Sequence, residues 1–449
     1  MEKQGKKRIS LADHFTYARL LRFVLPSVVM MVFTSIYGVV DGLFVSNFAG
    51  KTSFAAINFI MPFVQVLGGL GFMVGTGGSA LVTMTLGQGD HKRANRYFTM
   101  MIHLTVLLGV IVTVIGIVFT RKIAIALGAS DAMIGECVLY GRITIAFTVF
   151  FMLQNVFQSF LVAAEKPRLG LRVTILAGVM NMVLDALFVG VIPWGVAGAA
   201  VATGISEFAG GVVPLVYFWK KNDSLLSLTE TKLELRPILK ACGNGSSELM
   251  TNIAASIVGM LYNYQLMKYL GEDGVSAYGV IMYVGFIFVA IFFGYAVGSA
   301  PIIGFHYGAQ NHDELKNMFK KSLMIVLCTG LAMMVLAEAF APLLAKIFVG
   351  YDEELCLLTQ HGFRIYSFSF LLCGITIFAS SFFTALSNGV VSATISFLRS
   401  LIFQTTCVML LPAIIGVDGI WWAVITAEIF SCIVSVTFFV AKRKRYHYL

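Results

Sequence analysis

The stretch FVLPSVVMMVFTSIYGVVDGLFVSNF, residues 23–48, decides the fold of this chain. It is 26 residues long and carries one charge, Asp41. A helix of this length crosses the roughly 30 Å hydrocarbon core of a membrane at about 1.5 Å per residue. Asp41 lies about 27 Å along it from Phe23, still inside the membrane. Because a carboxylate is costly in lipid, Asp41 indicates an ion or proton site; the alternative is a hydrogen bond that pins two helices.

The composition predicts an all-α polytopic membrane protein. Of 449 residues, 58% are hydrophobic and 12% are charged, and the mean hydropathy is +0.86. Soluble domains carry about twice that charged fraction, and the apolar runs are continuous rather than alternating as in a β-barrel. The first run is too long for a signal peptide and should stay in the mature protein. Twelve transmembrane helices are expected near 20–47, 54–86, 95–119, 138–164, 169–192, 196–219, 237–269, 275–307, 318–344, 362–387, 393–415 and 419–441.

The 32 Lys and Arg residues are distributed unequally between the two membrane faces. With a cytoplasmic amino terminus, 25 fall on the inner face, Arg399 among them, and 7 on the outer face. This bias predicts a protein of the cell membrane with both termini in the cytoplasm. The net charge of +9 is therefore topological, and no nucleic-acid partner is expected.

The two halves of the chain resemble each other. At an offset of 221 residues, SALVTMTLGQGDHKRANRYF (79–98) falls on APIIGFHYGAQNHDELKNMF (300–319). Each half holds six spans, so the two repeats have the same orientation and enclose a central cleft, as in transporters that work by alternating access. The expected organisation is a cytoplasmic arm (1–19), an N-lobe (20–219), a cytoplasmic linker (220–236), a C-lobe (237–441) and a basic cytoplasmic tail (442–449).

Differences between the repeats indicate where function lies. Asp41 corresponds to Tyr262, and Asp185 corresponds to Thr406 or Leu411, so these two acids occur only in the first half. Glu207 and Glu428 are duplicated. A shared acid is expected to be structural, and an unshared one to be functional.

Polar side chains in the first half lie at matching depths. Tyr37 and Asp41 are four residues apart, as are Asn181 and Asp185, so each pair shares one helical face. Thr203 lies at a similar depth in the sixth span. These groups could bind a hard cation through oxygens or hold a proton on one of two coupled acids. The alternative is a set of scattered polar groups that pack helices.

Several motifs resemble the multidrug and toxic compound extrusion (MATE) family of antiporters. They are Pro26, IYGVVDGLFVSNFAG, FAAINFIMPF, GTGGSALVTMTLGQGD, NMVLDALFVG, GVAGAAVATGIS and GVDGIWWAVITAE, and the likeness covers essentially the whole chain. The resemblance implies an amino-lobe cation site at Asp41, Tyr37, Asn181, Asp185 and Thr203, with Asn155 as a further polar neighbour. The sequence departs from the branch with a second-lobe sodium site because its tenth span has no acid and Glu248 lies near the inner end of the seventh.

A second polar stripe occupies the seventh span. It consists of Glu248, Asn252, Ser256 and Asn263, which either line the cleft near its inner mouth or pack against other helices. The seven cysteines form no CxxC or Cys/His cluster and read as small hydrophobic residues. No cofactor is expected, and no metal apart from a possible Na⁺ at Asp41 and Asp185. The spans contain no motif of an intramembrane enzyme, so no enzymatic activity is expected.

These observations predict a secondary-active antiporter in the lipid bilayer. It would export drug-like cationic or amphipathic small molecules in exchange for H⁺ or Na⁺, with H⁺ favoured because the second-lobe acids are missing. The alternative is a flippase or exporter of a lipid-linked oligosaccharide or related amphiphile, which would favour a strongly cationic cavity. The protein is expected to act as a monomer.

Overall fold

The computed structural model describes residues 9–48, 51–127, 129–131 and 133–449, so residues 1–8 of the predicted arm lie outside the described residues. All regular elements in these ranges are helices. They are α1 Tyr17–Phe48, α2 Lys51–Gly87, α3 His91–Leu127, α4 Ile134–Ala146, α5 Thr148–Ala163, α6 Pro167–Asp185, α7 Gly195–Trp219, α8 Leu235–Gly308, α9 His312–Val349, α10 Glu353–Ser367, α11 Ser369–Ala385, α12 Gly389–Phe397, α13 Gln404–Ile415 and α14 Asp418–Tyr446. Two π-helical segments, Ala186–Val191 and Leu398–Phe403, follow α6 and α12.

The prediction of twelve transmembrane helices is confirmed. In the described ranges, nine stretches of helix are each long and apolar enough to cross a membrane. One of them, α8, is two spans, because Gly271 breaks it with φ 65° and ψ −150°. Two bent pairs, α4 with α5 and α10 with α11, form one span each, with bends of 54° and 45°.

The internal repeat is visible in the backbone. Gly195 and its counterpart Gly416 both adopt positive φ, 57° and 72°, in the turn before the last span of each half. The fourth and tenth spans both bend at equivalent residues, Phe147 and Phe368. Because positive φ favours glycine, the duplicated glycines fix duplicated turns. The two six-helix repeats therefore share these turns and bends as well as their order of helices.

The two lobes are in tight contact at one end. We call this end the inner face, after the charge bias, since it carries the basic loops after α2 and α5. A Cβ atom on Gly87 would collide with the Phe305 carbonyl of the other lobe, and one on Gly308 with the Met84 carbonyl. These reciprocal contacts join α2 to the second half of α8. Further along α1, a Cβ on Gly38 would meet no atom within 4 Å.

One basic residue lies where the charge count did not place it. Arg399 was counted at the inner face, but it lies in the π-helical segment, ten residues after α12 begins at Gly389. At about 1.5 Å per residue this is about 15 Å into the membrane. Such a position is tolerated because Arg399 pairs with Glu428. Twenty-four basic residues remain on the inner side, so the bias persists.

The residues expected to form a basic tail are packed against the C-lobe. α14 continues to Tyr446, and Tyr448 is fully buried. The Tyr448 ring lies 4.9 Å from the ring centres of Phe319 and Phe382. Its hydroxyl donates to the Phe439 carbonyl at 2.8 Å. The end of the chain therefore helps to hold the inner end of the C-lobe together.

Candidate coupling site and central cavity

Two acids from different helices meet in the N-lobe. Asp41 lies on α1, and Asp185 is the last residue of α6 before the π-helical segment Ala186–Val191. Their carboxyl groups are neighbours, and Asp185 is fully buried. The π-helical turn widens α6 at this point, as π-bulges commonly do at functional sites. The depth match in the sequence therefore corresponds to proximity in the structure.

The neutral partners from α6 and α7 also meet there. The Asn181 amide nitrogen donates to the Thr203 hydroxyl at 3.5 Å. Tyr37 packs against Gly178 on α6, one turn from Asn181. Gly178 is needed for this approach, because a Cβ would lie 2.8 Å from the Tyr37 ring. Three helices thus bring a phenol, an amide and a hydroxyl to the acid pair.

The acid pair is rich in acceptors and poor in donors. Among the described residues, five buried oxygens at this place have no hydrogen-bond partner: Asp41 Oδ1, both carboxyl oxygens of Asp185, Asn181 Oδ1 and Glu207 Oε2. Within the described ranges, no Lys, Arg or His forms an ion pair with these acids. Buried acceptors normally have partners, so a cluster without them fits a site that receives a proton or a cation.

The structure adds two residues that the sequence did not place in this site. Glu207 of α7 lies near Asp41 and Tyr37. The Tyr140 phenol of α4 lies near Asp41, Asp185 and Glu207. Because Glu207 is duplicated, the sequence predicted a structural role for it. Tyr140 is one of 16 tyrosines, and no sequence pattern distinguished it as a site residue. Among the described residues, no three His, Cys, Asp or Glu side chains are arranged as metal ligands. Glu207 is therefore a neighbour of the pair and not a third ligand at one point.

Asn155 makes a different contact. Its amide nitrogen donates to the Gly68 carbonyl at 3.2 Å and joins α5 to α2. The structure thus gives Asn155 a helix-joining contact.

The equivalent place in the C-lobe has different chemistry. Tyr262, the counterpart of Asp41, donates its hydroxyl to Gln404 Oε1 at 3.1 Å. Glu428, the counterpart of Glu207, is held by Arg399 at 2.7 Å and by the Thr376 hydroxyl at 2.9 Å. Tyrosine and glutamine satisfy each other, and the glutamate is neutralised by a cation. The C-lobe position is therefore a closed polar network, whereas the N-lobe position is open to a proton or cation.

A central cavity of about 330 Å³ lies between the lobes. About half of its lining residues bear a hydroxyl or an aromatic ring, and most of the others are aliphatic. Glu248, Asn252 and Arg399 are the strongest polar groups of the wall. Of the stripe expected on the seventh span, Glu248 and Asn252 line the cavity, whereas Ser256 and Asn263 are not among its lining residues. The hydroxyl and aromatic lining comprises Thr34, Ser35, Phe72, Thr76, Ser79, Ser159, Thr251, Phe286, Phe293, Thr376, Ser380, Ser381, Thr384 and Ser396.

Residues 9–16, which we call the strap, cross the inner face between the lobes. In the N-lobe, Glu165 accepts hydrogen bonds from the Ser10 hydroxyl and the Leu11 amide, each at 2.7 Å. In the C-lobe, Glu314 accepts from the Phe15 amide at 2.9 Å. Leu11 and Phe15 are fully buried. Both lobes are therefore tied at the inner face by a segment that sequence reasoning treated only as a basic arm.

Two homologous six-helix bundles, an inner seal and a central cavity define a membrane transporter. The MatE family model matches the chain twice, at residues 26–187 and 248–409, once in each half. The chain belongs to the MATE family of transporters. The family expectation is confirmed, and the protein is a multi-pass membrane transporter rather than an enzyme.

Among relatives, the multidrug export protein MepA of Staphylococcus saprophyticus is 24% identical over 413 residues, covering 91% of this chain and 90% of that protein. MepA of Staphylococcus aureus is 23% identical, covering 92% and 91%. A MATE transporter solved in an outward-facing conformation has a TM-score of 0.92 at 21% identity, with 99% of both chains covered. A MOP superfamily transporter from Pyrococcus furiosus scores 0.89 at 22% identity, again with 99% of both chains covered. These structures share the fold of this chain.

Proposed function

We propose that this protein is a multidrug efflux antiporter that exports cationic or amphipathic compounds in exchange for protons. The observation that carries this proposal is the cluster of unpartnered buried oxygens around Asp41 and Asp185. A buried acid pair without a basic partner is stabilised by binding a proton or cation, and it is less stable without one. Binding and release at this site can therefore bias the transporter between two conformations.

The central cavity supports the proposed substrates. Aromatic rings and hydroxyls suit flat amphipathic molecules, and the Glu248 carboxylate suits a positive charge. Arg399 is already paired with Glu428, so the cavity carries no unbalanced positive charge. This favours an exporter of cations over the flippase alternative, for which a strongly cationic cavity is expected. The multidrug export function named for the MepA relatives agrees with this choice.

The closed inner face supports an alternating-access cycle. With the basic inner face in the cytoplasm of a cell-membrane protein, the described conformation is closed towards the cytoplasm. Opening to the cytoplasm then requires the glycine contacts of α2 with α8 to separate and the strap to release one lobe. The complete cleft lies within one chain, so a monomer suffices for transport.

The driving force is adequate. One charge that crosses about 100 mV releases about 2.3 kcal/mol, and a tenfold proton gradient adds about 1.4 kcal/mol. If one uncharged substrate is exported per proton, both contributions add and support a concentration ratio on the order of several hundredfold. For a monocation the exchange moves no net charge, so only the proton gradient contributes and the ratio is about tenfold per proton. One productive proton site is therefore enough for effective export.

Proton coupling is preferred over sodium coupling because of the donor set. Sodium needs several converging oxygens, whereas a proton needs only a shared pair of carboxylates. Among the described residues no third carboxylate converges on the pair, and the Asn181–Thr203 contact is long at 3.5 Å.

Uptake into inverted vesicles with separately imposed gradients tests the proposal. The probe is a fluorescent lipophilic monocation. Transport is expected in sodium-free buffer under a proton gradient and should stop when a protonophore is added. Strict sodium dependence at constant pH would contradict proton coupling, and no transport under either gradient would contradict antiport itself.

A further inference from the structure

A second hollow lies at the inner face, away from the central cavity. Its volume is about 440 Å³, and it lies between the second and third turns of α1 and the first two turns of α6. Arg22 comes from α1, Arg168 and Arg172 from α6, and Lys166 from the loop before α6. Phe23 and Pro26 form part of its apolar floor. We call this hollow the basic groove.

The two carboxylates in the basic groove are already engaged. Glu165 accepts hydrogen bonds from the strap. Asp223 is paired with Lys166 at 2.6 Å, and hydrogen bonds from Lys166 and Tyr217 lower the pKa of the Asp223 carboxyl. Both acids therefore contribute to fixed contacts of the fold. Their two negative charges offset only part of the four cations that line the groove, so the groove keeps a net positive charge.

Three guanidinium groups thus face one hollow. In the part of the chain that the structure describes, Arg22, Arg168 and Arg172 form no ion pair with a carboxylate. Arg168 and Arg172 are four residues apart on α6 and share a face. α6 also begins here with no side chain capping its first amides, so its positive dipole end adds to the charge. Among the described residues that line the groove, cations outnumber carboxylates by four to two.

Below the arginines, the same helix faces are apolar and exposed. On α1, Leu25 and Val29 follow Arg22 at helical spacing and are 59% and 41% exposed. On α6, Leu176 and Val183 follow Arg172 on one face and are 46% and 59% exposed. α1 and α6 pack against each other. The basic groove is therefore continuous with an exposed apolar surface along the line where α1 and α6 pack, which we call the α1–α6 seam.

We propose that the basic groove binds the phosphate of an anionic phospholipid, with its acyl chains along the α1–α6 seam. The charge matches the headgroup, and the apolar stripes match the chains. Basic pockets between transmembrane helices are a common means of binding such headgroups. The lipid contacts α1 at Pro26, within the helix that carries Asp41, and stabilises the packing of α1 on α6.

Lipid retention tests the proposal. The full chain is placed in phosphatidylcholine nanodiscs that contain a minor share of phosphatidylglycerol, and bound lipid is counted by native mass spectrometry. The protein should retain phosphatidylglycerol over phosphatidylcholine by at least about tenfold. The double variant Arg168→Gln/Arg172→Gln should lose this preference, and so should Arg22→Gln in part. The double variant Arg443→Gln/Lys444→Gln, with the same charge change at the end of α14, should keep it.

Three results would overturn the proposal: equal retention of both lipids by the parent, an unchanged preference in both groove variants, or an equal loss in the α14 control. Millimolar inorganic phosphate distinguishes the two sources of a phosphate group. The lipid should stay bound because its chains contribute, whereas displacement by phosphate would assign the groove to a soluble anion. The assay requires no transport, so its outcome is independent of the proposed antiport.

Discussion

The two duplicated glutamates offer a matched test of the site. We expect Glu428→Gln to destabilise the protein strongly and Glu207→Gln to leave its stability nearly unchanged. The two residues occupy equivalent positions in the two repeats. Their surroundings differ, because Glu428 is paired with Arg399 and one oxygen of Glu207 has no partner.

The expected magnitudes follow from these surroundings. The Glu428 side chain is 3% exposed and that of Arg399 is 15% exposed, with contacts of 2.7 and 2.9 Å. Removing one partner of a buried pair costs about 3–5 kcal/mol, because the other charge is left uncompensated. Glutamine at position 207 has the shape of a protonated glutamate and breaks no ion pair, so its effect should stay below about 1 kcal/mol.

The assay combines thermal unfolding in detergent with vesicle transport. Glu428→Gln should lower the melting temperature, and the added change Arg399→Met should restore most of it by removing the unpaired cation. Glu207→Gln should keep the melting temperature but shift the pH profile of transport, since it removes one acid beside Asp41. A Glu428→Gln variant as stable as the parent would refute the reasoning, as would a Glu207→Gln variant that unfolds.

Three further outcomes are expected. Asp41→Asn and Asp185→Asn should each abolish gradient-driven transport without loss of folded protein in size-exclusion chromatography; parent-like transport by either would contradict the proposed site. Glu314→Gln should weaken the strap and increase labelling, from the cytoplasmic side, of a cysteine introduced at Thr251 in the central cavity by at least about threefold; unchanged labelling would show that the glycine contacts alone close the inner face. A cysteine at Asp352 should react with an impermeant reagent in intact cells and one at Thr229 should not; the reverse would overturn the orientation.

The twelve spans and the repeat could be predicted because their signals are local or periodic. Each span is a long apolar run, and equivalent turns carry equivalent residues such as Gly195 and Gly416. The proximity of Asp41 and Asp185 could be predicted in part, since both lie at one depth. Depth cannot show which helices are neighbours, so only the structure brings them together.

What the sequence did not predict concerns partners in space. Arg399 looked like an interfacial charge because nothing nearby in sequence marks Glu428, 29 residues away, as its partner. Glu207 looked structural because duplication preserves the residue but not its surroundings. The strap has no periodic pattern, and its contacts reach residues 154 and 299 positions away. Such long-range pairings leave no trace in a single sequence.

One helix joins the two parts that an antiporter must coordinate. α1 starts directly after the strap, whose Phe15 amide is bound by Glu314 of the C-lobe, and it carries Asp41 beside Asp185 of the N-lobe. The acid pair therefore lies near one end of α1, and the contacts that close the inner face lie at its other end. A proton that binds at Asp41 removes repulsion between α1 and α6. In the proposed coupling, the loss of this repulsion alters the packing of α1 and so reaches the strap at the start of the same helix. The C-lobe need not take part, because its equivalent residues, Tyr262 and Gln404, are already hydrogen-bonded to each other.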